Sequence, residues 1–531
     1  LAGTTKEIDR VWGAGESQIN MIARNVTTDY LAIAVNLIVG MLILPFNVAH
    51  LGKSAYGLWI LTASITTYFS MLDLGYGSAQ VKFAAQYRAR RDSRALNEIA
   101  STLFFLFLGI GVVAYGIAIA LAFNFERLFN VTPEQASTGR TILLILAVYV
   151  ALSFPFSVFG GIVNGFQRNY LNGVISIINV GVQAIVNVIV LLAGYGIIEL
   201  VATTTAVHVL CYIAYRLNAY RVFPGLSIRL RHFKAARLRE VTAFSSFLLL
   251  IDIAAKINFA TDTMVIGAFM STAAIAVWAV ASRLIGATRM LTNQLNSALF
   301  PVVVDSAAKG RPDRLRFVLL QGTRLSLAMV IPIASVLCLL AHAVVTAWVG
   351  PSFMESVPVI YILAGVVTAR VGTASAATLL KGADRHKFLA STNLVIAVAN
   401  VILSIILVQR MGLIGVALGT LIPLGAASIF VIFPTACRRV GLPIREAVRS
   451  AVWPAVWPMA LVAAPLLATR NLVGNSVVSI AAQSITAGLL YALIFIRFAI
   501  NREDRQWYLT KIKLLTRRRP RVAVTAYQSG D

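Results

Sequence analysis

The chain has 531 residues, 58% of them hydrophobic and only 13% charged, with a mean hydropathy of +0.80. Soluble domains run at about 45–50% apolar and about 25% charged, so this much apolar surface cannot be kept in water and the composition implies a polytopic membrane protein. The net charge of +25, from 46 Lys and Arg against 21 Asp and Glu, would point to nucleic acid in a soluble chain; here the position of the cations decides.

The first 25 residues are polar. They read as a cytoplasmic segment with no cleavable signal, the opening spans serving as the insertion signal. A helix crossing the hydrocarbon needs about 20 mostly apolar residues. Apolar runs of that kind follow at 26–50, 56–79, 99–123, 141–163, 171–193, 197–215, 241–268, 273–303, 322–346, 358–380, 388–408, 413–436, 451–469 and 477–500. The expectation is an all-α chain of about fourteen transmembrane helices.

With both termini on one side, 37 of the 46 Lys and Arg fall on that side, counting Arg324 and Arg497 at the same-side ends of their runs. Only Lys53, Arg127, Arg140, Arg410 and Arg470 lie opposite, and Lys256, Arg283, Arg289 and Arg370 fall deeper inside spans. The positive-inside rule then places both termini in the cytoplasm. Most of the charge is therefore topology. The basic stretches 229–239 and 511–521 can also hold anionic headgroups at the inner leaflet. Nucleic acid is not an expected partner, since aromatic interleaving and a folded soluble domain are missing.

The chain repeats itself. Ala55-Tyr56-Gly57-Leu58-Trp59 matches Ala274-Ile275-Ala276-Val277-Trp278 at an offset of 219 residues, which also pairs Ser78-Ala79 with Ser297-Ala298. An offset of 217 pairs Ile145-Leu146-Ala147 with Ile362-Leu363-Ala364, Gly165 with Gly382, and Ser176, Gln183 and Asn187 with Asn393, Asn400 and Ser404. The reading is an N-lobe at 26–220 (spans 1–6), a basic cytoplasmic linker at 221–240 and a C-lobe at 241–437 (spans 7–12). Two appended spans at 438–500 and a basic cytoplasmic tail at 501–531 complete it. Parallel repeats of this kind are typical of transporters with a site between the halves.

Polar faces cannot point at lipid tails. Span 1 carries Asp29, Asn36, Gly40 and Asn47 within about 20° of one line. Span 2 carries Thr66, Ser70, Asp73 and Gly77 at helical spacing, and span 5 carries Asn172, Ser176, Asn179 and Gln183. Span 7 holds Asp252 four residues before Lys256, close enough to pair, and Asp262 near its outer end. Span 8 holds Arg283, Arg289 and Asn293. A charge near the midplane costs at least about 2.5–3.5 kcal/mol, so it lines a cavity or finds a partner.

Lys256, Arg283, Arg289, Arg370, Asn36 and Asn293 are the candidate substrate-binding residues, and Asp73, Asp252 and Asp262 the candidate gating or ion-coupling residues. The deep cations outnumber the deep carboxylates, which favours an anionic substrate such as a phosphate or pyrophosphate lipid. Pro45 and Pro301 are candidate bend points at an inner gate formed by spans 1, 2, 7 and 8.

Cys211, Cys338 and Cys437 are scattered, and the five histidines form no zinc motif. No cofactor and no metal site are expected. Glu126, Glu134, Glu199 and Glu355 stand singly in the external loops, so a membrane enzyme with clustered catalytic carboxylates is disfavoured.

Leu51-Gly52-Lys53-Ser54-Ala55-Tyr56-Gly57-Leu58-Trp59 and Leu72-Asp73-Leu74-Gly75-Tyr76-Gly77-Ser78-Ala79 resemble the amino-terminal signature of bacterial polysaccharide flippases. These form the Wzx-like branch of the multidrug/oligosaccharidyl-lipid/polysaccharide (MOP) exporter superfamily. Asp262-Thr263-Met264-Val265-Ile266-Gly267, Ala281-Ser282-Arg283-Leu284 and Pro301 resemble the start of its second lobe. The resemblance implies a monomer that moves an undecaprenyl-(pyro)phosphate-linked glycan across the membrane by alternating access. Polysaccharide polymerase machinery would be its candidate neighbour. An ion-coupled multidrug or small-molecule exporter of the same superfamily is the alternative.

Overall fold

The computed structural model describes residues 18–242, 261–383, 386–469 and 476–500. Among these the regular structure is helical, and eleven stretches are long and apolar enough to cross a membrane. The first half is built from α1 (Gln18–Phe69), α2 (Tyr76–Ala89), α3 (Ser93–Phe123), α4 (Pro133–Gly165), α5 (Asn169–Leu192) and α6 (Ile197–Val222). The second contains α7 (Thr272–Ala308), α8 (Pro312–Leu339), α9 (Ser356–Gly372), α10 (Ala374–Gly382) and α11 (His386–Ala426). Then come α12 (Trp453–Thr469) and α13 (Val477–Ile494).

Two of the eleven stretches, Ala23–Asp73 and Lys387–Arg439, are 51 and 53 residues long. At 1.5 Å per residue either would reach far beyond a hydrocarbon layer about 30 Å thick, so each must turn back. Both bend at a glycine outside helical geometry, Gly52 (φ 76°) and Gly412 (φ 57°), a region that a side chain would strain. Each stretch therefore holds two of the expected runs, and the expected run 241–268 lies largely outside the described residues. Eleven stretches stand for that reason where fourteen runs were read.

Three expected runs are interrupted. Run 56–79 stops at Phe69, passes through a 3-10 turn at Ser70–Asp73 and restarts at Tyr76 after left-handed Leu74 and Gly75. Run 322–346 breaks at Leu340 into α8 and a short helix Ala341–Val349. Run 358–380 divides at Thr373. Pro45 and Pro301 lie inside continuous helices.

In the first half α4 packs on α3, α6 and α2; in the second α9 packs on α8, α7 and α11, and α12 covers α8. The segment after α6 is bonded back onto the first half. Ser227 N–H donates to Asn97 Oδ1 (2.8 Å) and Lys234 N–H to Thr102 Oγ1 (3.0 Å). Arg237 reaches Glu98 (3.3 Å) and the Tyr87 hydroxyl (2.9 Å).

The two halves are tied at the end bearing Gly52. Ser54 and Thr272 share a hydroxyl hydrogen bond at 2.9 Å, and Asn130 N–H donates to Gly267 O at 2.9 Å. Trp348 Nε1 donates to Met41 O at 2.8 Å, and Lys53 to Ser352 O. Gly57 is the closest approach: a β-carbon there would sit 1.7 Å from Thr272 O and 3.3 Å from the backbone nitrogen of Ala276. Small residues let helix backbones meet in this way. The core reflects the same asymmetry. One apolar cluster joins Leu58, Leu61 and Ile65 to Val265, Ile275 and Trp278, whereas Val303, Leu319, Leu379 and Ala436 form a separate cluster inside the second half.

Candidate functional site

Away from the Gly52 end lies a cavity of about 890 Å³, walled among the described residues almost entirely by the first half and touched by α7 of the second only through Met290. Its walls are α1 (Asp29, Ile33, Asn36), the turn and start of α5 (Asn169, Asn172, Ser176), Tyr215 of α6, and Met290 of α7. Next to the lining residue Val26, the Asn25 side chain donates to Gln167 O (2.8 Å) and accepts from Tyr170 N–H (2.9 Å). Arg24 and Arg168 adjoin these bonded residues in sequence, and Arg88 feels the Arg168 charge. A second cavity of about 460 Å³ is lined by Thr66, Ser70 and Asp73 on one side and by Tyr149, Ser153 and Ser157 of α4 on the other.

Arg283 is exposed at this interface. It leaves α7 and lays its guanidinium against α1, where it occupies the place a β-carbon on residue 40 would need, 1.1 Å from Nη2. The same Nη2 donates to the backbone oxygen of Asn36 at 3.4 Å. Gly40 and Asn36 share the polar line read from the sequence, and the line receives a cation from the other half. Arg283 and Asn36 are thus brought together, and Asn36 lines the cavity.

Arg289 and Arg370 sit deeper in the second half. Arg370 feels the Arg289 charge and lines a cavity of about 200 Å³ with Thr373, Asn393 and Ser428. Thr373 also lines an apolar groove of about 870 Å³ that runs along α8, α9 and α12 past Leu327, Ile331, Val456 and Met459. Thr373 thus borders both a polar pocket that holds an arginine and an apolar groove.

The candidate carboxylates are apart from one another. Asp73 is in the 3-10 turn, not on a continuous helical stripe; its two oxygens accept from Gly77 N–H at 3.1 and 3.3 Å and cap α2. Asp262 is 7% exposed and accepts from Thr420 Oγ1 at 3.1 Å, while Thr420 accepts from Asn400 Nδ2 at 3.0 Å. Among the described residues Asn400 Oδ1 is buried with no partner, and Ser404 lies one turn further along α11 with its hydroxyl 3.5 Å from Val416 O. Asp252 and Lys256 lie outside the described residues, as does the side chain of Asn293, whose backbone is within α7. Among the described residues no group of three or more His, Cys, Asp or Glu could hold a metal ion.

Sequence reasoning missed Thr420, Tyr149 and Tyr215 as site residues. A threonine or tyrosine within an apolar run carries no charge signal, and its neighbours here come from other helices. Asn400 and Ser404 entered only as partners in the repeat.

Residues 50–358 match the model of the family described as "Polysaccharide biosynthesis protein". The chain is 23% identical over 410 residues to EpsK of Bacillus subtilis (strain 168), described as an uncharacterized membrane protein; the match covers 75% of this chain and 80% of EpsK. It superposes on the lipid II flippase MurJ in its inward closed conformation with a TM-score of 0.70 at 15% identity, over 90% of this chain and 99% of MurJ. An outward-facing multidrug resistance MATE family transporter of the MOP superfamily gives a TM-score of 0.55 at 16% identity, over 79% and 95%. These likenesses give the fold of the MOP transporters, and the family match covers most of both lobes read from the sequence. The chain belongs to the polysaccharide biosynthesis protein family.

Proposed function

We propose that the protein moves a lipid-(pyro)phosphate-linked oligosaccharide from the inner to the outer leaflet of the bacterial cytoplasmic membrane, by alternating access of lobes 26–220 and 241–437. The observation that carries this reading is the polar cavity on the first half with a second-half arginine beside it. Its wall includes Asn36, whose backbone oxygen receives the exposed Arg283 guanidinium, while the Ser54–Thr272 and Gly57 contacts tie the halves at the Gly52 end. Arginine's planar fork suits phosphate oxygens, and the cation-rich end faces the cytoplasm under the positive-inside rule. The apolar groove along α12, which shares Thr373 with the Arg370 pocket, is suited to a prenyl chain. The repeat also supports two equivalent lobes. A β-carbon at Gly165 would press on Ala84 (2.5 Å) and one at Gly382 on Val303 (2.7 Å), and these contacts join corresponding positions.

The test is to delete the gene in its host and quantify lipid-linked saccharides in the inner membrane. One such species should accumulate while its polymer is lost from the surface. Unchanged lipid pools would overturn the reading and make drug accumulation the next assay.

We infer further that Asp262 is the ion-coupling group, binding a proton or Na⁺. A buried carboxylate is costly unless it is paired or neutralised, and the orphan Asn400 Oδ1 adds an oxygen ligand to those of Asp262 and Thr420. In proteoliposomes, binding or transport by the wild type should respond to an imposed Na⁺ or pH gradient. Asp262→Asn should remove that response, and an unchanged gradient dependence would refute the assignment.

A further inference from the structure

The cavity walls differ in chemistry from one half to the other. The cation laid against the α1 wall, Arg283, comes from the second half, and Arg289 and Arg370 lie deeper in that half. The residues lining the 890 and 460 Å³ cavities include Asp29 and Asp73 and contain no Lys or Arg. A phosphate is repelled by such a wall. What the wall offers instead is amides, hydroxyls and aromatic rings, contributed almost entirely by the first half.

The rings are held from behind. Tyr149, half-buried and lining the smaller cavity, has its centroid 4.5 Å from that of His208 and lies stacked 6.0 Å from Tyr212. Tyr212 in turn donates its hydroxyl to Tyr149 O (3.2 Å) and stacks on Phe156 at 5.3 Å. Tyr215, one turn along α6, lines the larger cavity. The amides are also fixed. Asn172 Nδ2 donates to Gly160 O (2.9 Å) and Asn164 Oδ1 (2.8 Å), which sets the plane of its side chain. Among the described residues the Oδ1 atoms of Asn169 and Asn172 are buried and find no hydrogen-bond partner. An amide oxygen carries two lone pairs, and a buried acceptor without a donor is costly unless a ligand or water supplies one.

We propose that this first-half wall is the glycan-recognition surface, with Tyr149 and Tyr215 as stacking faces for sugar rings and Asn172 and Ser176 as hydroxyl partners. The phosphate lies across the cavity on the arginines of the second half. A pyranose has an apolar C–H face and a rim of hydroxyls. It is matched by rigid rings that are apolar in the body and polar at the tip and by groups that both donate and accept. The substrate is thus oriented by charge on one side and read by neutral polar groups on the other. The assignment rests on the lipid-linked glycan reading given above.

The test uses purified full-length protein and two probes, undecaprenyl diphosphate and undecaprenyl diphosphate carrying one N-acetylglucosamine. The wild type should bind the sugar-bearing lipid more tightly, by about tenfold. Tyr215→Ala and Asn172→Ala should each erase most of that preference while still binding bare undecaprenyl diphosphate, which also reports that the variant is folded. Arg283→Ala should weaken both lipids alike. Equal binding of the two probes by the wild type, or equal loss of both in Tyr215→Ala and Asn172→Ala, would overturn the wall assignment and leave the flippase reading standing. Binding of neither probe by the wild type would overturn that reading and this one with it.

Discussion

Replacing Arg283 with alanine abolishes delivery of polysaccharide to the cell surface while the protein stays in the membrane at its normal level. The guanidinium is exposed at the junction of the halves, reaching the Asn36 carbonyl at 3.4 Å across the cleft. It is not built into either core, so its removal leaves the packing of Leu58, Leu61, Ile275 and Trp278 intact. Hydrogen bonds to charged groups contribute about 1.5–3 kcal/mol each, and a bidentate arginine–phosphate contact makes two. The loss is on the order of 10²–10⁴-fold in affinity for a phosphate held there. Arg283→Lys keeps the charge and loses the fork, so it should transport at an intermediate level. Surface polymer and membrane-fraction immunoblots measure both quantities, and normal export by the alanine variant would eliminate the cationic-cavity model.

Cross-linking Ser54→Cys to Thr272→Cys stops transport under oxidising conditions, and reductant restores it. The two hydroxyl oxygens are 2.9 Å apart, which brings their β-carbons near the separation of about 3.5–4.5 Å that a disulfide needs. The experiment is made with alanine at Cys211, Cys338 and Cys437, so that no other thiol competes. A disulfide at this point fastens the Gly52 end permanently, and alternating access requires that end to open. Gly57→Leu acts in the opposite sense. Its side chain has no room against Thr272 O, so the halves cannot close there and accessibility labelling from the outer side should rise. Full transport by the oxidised double-cysteine protein would mean that this end does not move.

The helical architecture was legible because hydropathy is a long-window property: twenty apolar residues in a row leave few alternatives. Interruptions within a run were harder. The Asp73-Leu74-Gly75 segment read as part of a polar stripe because Thr66, Ser70, Asp73 and Gly77 are spaced as on a helix. The left-handed Leu74 and Gly75 show that the glycine was ending a helix, a signal that the stripe concealed. Arg283 was recoverable from charge alone, since an arginine amid apolar residues must find a cavity or a partner. The Asp262–Thr420–Asn400 cluster was recoverable only in its carboxylate, because the other two are neutral and stand 158 and 138 positions away. Tyr149 and Tyr215 gave no signal, since an aromatic residue in a span is as well suited to core or lipid as to a sugar.

The bond from Arg283 to Asn36 is also a latch. The guanidinium donates from Nη2 to a backbone carbonyl of the opposite half and rests in the notch that a glycine leaves. An anionic headgroup arriving in the cavity competes for that same guanidinium with a full negative charge, against a neutral oxygen 3.4 Å away. Drawing Arg283 toward the newcomer unfastens one tie between α1 and α7 at the moment the cargo is seated. If the protein works as proposed, loading and loosening become a single event, and an empty carrier keeps itself fastened.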